Sequence, residues 1–193
     1  MNKNIDSAVK ILNSGGVIIF PTDTAFGVGC RIDKDEAIKR LFSIRKRPLN
    51  MPIPVLVSKK EMAERYWESL PTEVEEKLIK KYWPGALTII LPADLNLVPS
   101  LARGGRKNIG IRMPDNDLIL EIIEKCGVPI LGPSANFHNE QTPYSFNELD
   151  KNLIQKVDFV LNGKSKFKNT STVIECSSSP WRILRKGAID IKI

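Results

Sequence analysis

The chemistry within reach of this sequence rests on arginine, serine and asparagine. Arg45-Lys46-Arg47-Pro48 sets three cations in a row at the end of an amphipathic stretch and runs into a segment stiffened by Pro48, Pro52 and Pro54. Such a run commonly does no more than complement a helix C-terminus. Cations on a stiff segment also suit phosphate, because little freedom is lost when they are ordered around it. Arg103, Arg106, Lys107 and Arg112 form a second basic group around Gly104-Gly105, and Arg182, Arg185 and Lys186 a third. Arg112 and Arg185 each end a strand-like run, where α/β proteins place ligand-binding groups. Ser134 and Asn136, in Gly132-Pro133-Ser134-Ala135-Asn136, offer a hydroxyl and an amide to a polar ligand. Pro21-Thr22-Asp23-Thr24 follows GGVIIF, and Gly27 and Gly29 lie just beyond. A polar turn closed by two glycines permits close backbone approach to a ligand.

Other chemistries lack their parts. Cys30, Cys126 and Cys176 are far apart and show no zinc-ligand spacing, so they read as reduced, buried, inert thiols. His138 is the one histidine, which excludes two-histidine metal sites of the HExxH kind. Gly163-Lys164-Ser165 is no phosphate loop: Asp158 stands where that motif needs glycine, and KFKNTSTVIE reads as loop and strand rather than helix. Ser134 lies in a near-match to the nucleophile elbow, with Asn136 replacing the last glycine. An acyl-transfer base, however, normally arrives from a distant segment with a carboxylate to orient it. Phe26, Trp67, Trp83 and Trp181 read as packing residues, and Lys164, Lys166 and Lys168 as solvated surface.

These side chains must be held by alternating strands and helices. Runs rich in Val and Ile, bounded by Gly, Pro, Asn or Ser, predict strands over 16–20, 53–57, 87–91, 108–112, 128–131, 157–161, 172–176 and 182–184. Apolar faces at Ile5, Ala8, Val9 and Leu12, at Ala37, Ile38, Leu41 and Phe42, and at Leu118, Ile119, Ile122 and Ile123 predict helices. Ser58 with Glu61, Thr72 with Glu75, and Ser145 with Glu148 have capping-box spacing. With no linker, repeat or composition break, residues 1–193 are expected to form one α/β domain. The expected sheet is a twisted, open, mixed or parallel one with flanking helices. No apolar run approaches the length of a membrane span and no signal-peptide core is present, so a soluble, cytoplasmic protein is expected. The net charge of +7 fits an anionic partner but suits solubility equally well.

Seven ordered strings together resemble the YrdC-like (TsaC) threonylcarbamoyl-AMP synthase family: PTDTAFGVGC, LFSIRKRPLNMPIPVLV, WPGALTIIL, NIGIRMP, PSAN, STVIE and ILRKGAI. They run from about Gly15 to Ile189. The resemblance implies a sheet around a basic concave cavity. It also implies a reaction, in which L-threonine, bicarbonate or CO2, and ATP with Mg2+ give threonylcarbamoyl-AMP and pyrophosphate. Partner proteins would then transfer the threonylcarbamoyl group to tRNA. By that likeness Arg45, Arg47, Ser134 and Asn136 form the catalytic quartet. Arg47, Met51, Asn108, Asn136, Tyr144 and Arg185 would contact ATP, and Thr24, Arg112, Ser134 and Ser171 would contact threonine. No residue is assigned to hold the metal itself.

The chain departs from the family pattern at four places. Arg45 replaces a lysine, Leu56 a histidine, Tyr144 a threonine, and His138-Asn139 a Ser-Gly pair. A paralogous, YciO-like branch tends to lose the arginine at the position of Arg47 and the asparagine at that of Asn136, and both are present here. The competing readings are that branch, an RNA-binding protein using the same basic cavity, and a serine hydrolase centred on Ser134. The RNA reading lacks aromatic residues interleaved with the basic runs, which single-strand binders use for stacking.

Overall fold

The computed structural model describes residues 3–192. Three helices form where the apolar spacing places them. α1 (Lys3–Asn13) buries Ile5, Ala8 and Leu12, and α2 (Asp35–Ile44) buries Ala37, Ile38, Leu41 and Phe42. α7 (Asp117–Cys126) buries Ile119, Ile122 and Ile123 and packs against α1, with Lys125 paired to Asp6 at the seam. Between α2 and α7 lie α3 (Lys60–Glu64), α4 (Thr72–Val74), a π-helical turn (Glu75–Ile79), α5 (Lys80–Tyr82) and α6 (Ser100–Arg103). A 3-10 turn (Phe146–Glu148) and α8 (Lys151–Ile154) follow α7.

The capping boxes do not form as expected. Ser58 donates to Glu124 (2.6 Å) and caps nothing, while Thr72 lies inside its helix behind Pro71. Glu148 accepts from the Tyr144 N–H and the Ser145 hydroxyl, but closes only the 3-10 turn. Spacing alone cannot see a competing partner elsewhere in the fold. Among the described residues the side-chain caps that form are Asn116 on α7 and Asp150 on α8, and α8 itself falls outside the expected elements.

The expected single sheet is two open mixed sheets. One has the order β2-β1-β7, built from β1 (Ile18–Phe20), β2 (Gly27–Gly29) and β7 (Phe159–Val160). The other has the order β6-β3-β5-β4-β8-β9. Its strands are β3 (Val55–Leu56), β4 (Leu87–Pro92), β5 (Asn108–Arg112), β6 (Ile130–Leu131), β8 (Thr172–Glu175) and β9 (Arg182–Arg185). β3–β5 and β4–β8 are parallel, and β4–β5, β3–β6 and β8–β9 antiparallel. β3 is shorter than the run 53–57 because Pro52 and Pro54 remove ladder donors.

The two sheets meet edge to edge through β2 and the β6 segment. The Val28 N–H donates to the Pro133 carbonyl (2.9 Å), the Leu131 N–H to that of Cys30 (2.8 Å), and the Ala135 N–H to that of Phe26 (2.8 Å). Gly29 makes the junction possible, since a Cβ there would lie 1.8 Å from the Leu131 carbonyl oxygen. Gly27 and Gly29 form a strand: Gly27 lines the candidate cavity, whereas what presses on Gly29 is the backbone of the neighbouring sheet rather than a ligand. A three-residue strand with two glycines carries no alternation to read.

The core runs through both sheets and the helices, with Phe20, Phe26, Phe42, Ile18, Ile19, Ile38 and Leu41 among its fully buried side chains. Cys30, Cys126 and Cys176 are buried free thiols, and burial pushes Cys30 up to about 12. Among the described residues no helix is long and apolar enough to cross a membrane.

Candidate active site

The ends of several elements converge on one concave cavity that opens to solvent. Thr22, residues 24–27 and residues 132–134 come from the junction between the sheets. Arg45 and Arg47 come from the end of α2, Thr88 from β4, Arg112 from the end of β5, and Ser171 and Arg185 from the β8–β9 pair.

At one end stand Arg45 and Arg47. α2 stops in a Schellman turn, with the Lys46 N–H on the Ser43 carbonyl (3.1 Å) and the Arg47 N–H on that of Phe42 (3.0 Å). Lys46 takes the left-handed position, with φ 51°, where glycine is usual. The reversal brings the arginines on either side of it to one wall. Arg45 is buried; its Nε donates to the Asn136 carbonyl (3.0 Å), its Nη2 makes a 3.5 Å contact with Asn136 Oδ1, and its Nη1 has no partner. Arg47 donates from Nη2 to the Pro52 carbonyl (2.8 Å), and its buried Nε has no partner. Burial, reinforced by the charge of Arg47, pulls the Arg45 guanidinium down to about 10. It stays charged at neutral pH. A buried and a half-buried cation side by side, each with an unsatisfied N–H and, among the described residues, no carboxylate paired to it, suit an anion.

At the other end Arg112 is held from three sides. Its Nε donates to the Gly85 carbonyl (2.9 Å), its Nη1 to Thr24 Oγ1 (2.6 Å), and its Nη2 to Asp23 Oδ1. Thr24 is itself fixed, because its hydroxyl meets that of Thr22 (3.1 Å), and Thr22 donates to the Ala25 carbonyl (2.7 Å). Three of the five guanidinium N–H groups are used, which leaves one on each terminal nitrogen for a ligand. Asp23 is wholly buried, and desolvation raises its carboxyl above the ordinary value against the pull of Arg112.

Between these ends, Ser171 accepts from Arg185 Nη2 (3.0 Å) and shares a 2.9 Å hydrogen bond with Thr88, while the Ser171 carbonyl accepts from Arg185 Nε (3.0 Å). Ser134 lines the facing wall. Its neighbour His138 donates its backbone N–H to the Arg45 carbonyl (2.8 Å), and among the described residues no hydrogen bond joins its imidazole to Ser134. The hydrolase geometry is therefore not assembled. Leu56, Pro54 and Phe26 supply the apolar part of the lining.

Of the residues singled out from sequence, the cavity gathers Thr24, Arg45, Arg47, Arg112, Ser134, Ser171 and Arg185. Met51, Asn108, Asn136 and Tyr144 lie outside its lining. Asn108 starts β5, about 13 Å along the strand from Arg112, and donates to Ser177 (3.1 Å). Asn136 turns inward, donating to the carbonyls of Phe137 and Glu140 (2.8 Å each) while its own oxygens face Arg45. It braces the loop and the arginine. Tyr144 sits near enough to Arg185 to act on its charge. Sequence reasoning missed Asp23 and Thr88. Asp23 lay inside a quoted motif, but its partner Arg112 is 89 positions away and nothing local announces the pair.

A family model described as telomere recombination, spanning Sua5, YciO and YrdC, matches residues 10–187. Threonylcarbamoyl-AMP synthase of Pyrococcus abyssi (strain GE5 / Orsay) is 31% identical over 186 residues, covering 96% of this chain and 54% of that protein. The chain thus spans about half the length of that relative. The uncharacterized protein YciO of Escherichia coli (strain K12) is 30% identical over 189 residues, covering 97% of this chain and 91% of YciO. Among solved structures, P. abyssi Sua5 complexed with L-threonine superposes with a TM-score of 0.90 at 32% identity, over 95% of this chain and 54% of that one. Identity alone does not rank the synthase above YciO. On the match over 10–187 and on relatives aligned along nearly its whole length, the chain belongs to the Sua5/YciO/YrdC family.

Proposed function

We propose that this chain is an L-threonylcarbamoyladenylate synthase, with residues 1–193 acting as one catalytic domain. The observation that carries the reading is the asymmetry of the cavity: buried Arg45 and half-buried Arg47 with unsatisfied N–H groups at one end, and a braced guanidinium at Arg112 at the other. An ATP triphosphate suits the first and an amino-acid carboxylate the second. Arg47 and Arg185 would bind phosphate oxygens, and Arg45 would neutralise charge beside them. Arg112 and Thr24 would hold threonine, with Ser134 and Ser171 at its polar groups. The neutral threonine amine attacks CO2 and releases an N–H proton to solvent, giving a carbamate. The carbamate oxygen then attacks the α-phosphorus of ATP, and pyrophosphate leaves. Holding the two anions in one cavity supplies the proximity, and the arginines neutralise charge that gathers on the phosphates. Guanidinium and hydroxyl groups suit phosphate oxygens rather than a cation, so Mg2+ would enter on ATP as part of the substrate. The product would pass to threonylcarbamoyl-transfer proteins that act on tRNA, which assigns the protein to the cytoplasm.

The test is purified chain with ATP, Mg2+, bicarbonate and L-threonine, followed by pyrophosphate release with and without threonine. Threonine-dependent release supports the synthase. Binding of ATP and threonine without release would assign the cavity to a YciO-like protein, and binding of RNA alone to an RNA-binding one.

A further inference from the structure

We infer that Asp23 is the resident counter-ion of Arg112: it holds the guanidinium in place while no amino acid is bound, and sets the affinity for an amino-acid carboxylate below what Arg112 alone would give. The inference rests on the reading of Arg112 as the carboxylate-binding group and deepens it. Asp23 cannot swing away when a ligand arrives. Its backbone carbonyl accepts from the Lys166 and Phe167 N–H groups (2.8 and 2.9 Å), and its side chain is wholly buried. One carboxylate oxygen meets Arg112 Nη2, and the backbone N–H groups of Asp23 and Asp115 also act on this carboxylate. Arg112 is equally fixed, by Gly85 and Thr24. An incoming carboxylate must therefore share one guanidinium with Asp23, and two like charges so placed repel. Threonylcarbamoyl-AMP keeps the threonine carboxylate, so the same repulsion favours its release.

Asp23→Asn keeps the shape and removes the charge, and titration calorimetry with L-threonine, L-threoninol and ATP reads the effect. The expected variant melts about 5 °C or more below wild type when empty, because Arg112 is left buried without a counter-charge. Its threonine affinity rises about tenfold, whereas threoninol, which lacks the carboxylate, and ATP change by less than about twofold. A purely structural role would lower the melting temperature without that selective gain. Threonine affinity that is unchanged or weaker overturns the inference while leaving the proposed function standing. A wild-type chain that binds no threonine overturns both. Should the variant fail to fold alone, it is refolded with each ligand: recovery with threonine but not threoninol supports the inference, and equal recovery or none contradicts it.

Discussion

The two ends of the cavity solve opposite problems with the same side chain. Arg112 is a buried cation whose charge is matched by Asp23 and whose fork is braced by Thr24 and Gly85. Arg45, buried, and Arg47, half-buried, are matched among the described residues only by carbonyl oxygens and one amide. An end that is neutral when empty costs little to keep, and it binds a singly charged group with restraint. An end that is uncompensated when empty stores an unfavourable term that only a strong anion relieves. A triphosphate fits the second and a carboxylate the first, so the charge bookkeeping separates two substrates that share one cavity.

The comparison can be broken by truncation. Arg112→Ala strands Asp23 as an unpaired buried charge, so the chain should lose about 3–5 kcal/mol of stability and about 10³-fold in kcat/KM for threonine. Denaturant melts and pyrophosphate assays check both, and a stable, active variant would remove the counter-ion argument. Arg47→Ala should cost about 10²-fold in kcat/KM for ATP. Yet it removes a like charge beside Arg45, so the empty variant should melt no lower than wild type. A large loss of stability would show that Arg47 is structural. Ser134→Ala should reduce threonine-dependent turnover by about 10- to 100-fold with the fold intact. Turnover near wild type would remove Ser134 from the site.

Smaller effects sharpen the phosphate end. Arg45→Lys should lower turnover about tenfold, because an ammonium cannot both hold the Asn136 loop and face the cavity as the guanidinium fork does. Full activity would mean that the fork has no role beyond its charge. Lys46→Gly should raise stability by about 1 kcal/mol by relieving the left-handed backbone, with kcat/KM unchanged.

What the sequence made legible follows from the range of each interaction. The cavity residues Arg45, Arg47, Arg112, Ser134 and Arg185 stood out because each ends a local element or sits in a polar turn beside one. α1, α2 and α7 were readable because an apolar stripe is a local pattern. Long-range pairings were not. Asp23 finds Arg112 across the fold, and Ser58 abandons its capping box for Glu124, 66 residues away. β2 was hidden because its three residues include two glycines, and with it the junction that divides one expected sheet into two. Asn136 shows a further limit: its residue type suggested a ligand contact, but nothing local announced its contacts with Arg45 and Glu140.

The most direct test follows the carbon. Purified chain is incubated with labelled bicarbonate, ATP and Mg2+, with and without L-threonine, and the nucleotide products are separated by chromatography. The account predicts label in an adenylate that also contains threonine, formed with an equal amount of pyrophosphate and only when both ATP and threonine are present. Pyrophosphate released without threonine, or no labelled adenylate under any of these conditions, would contradict it.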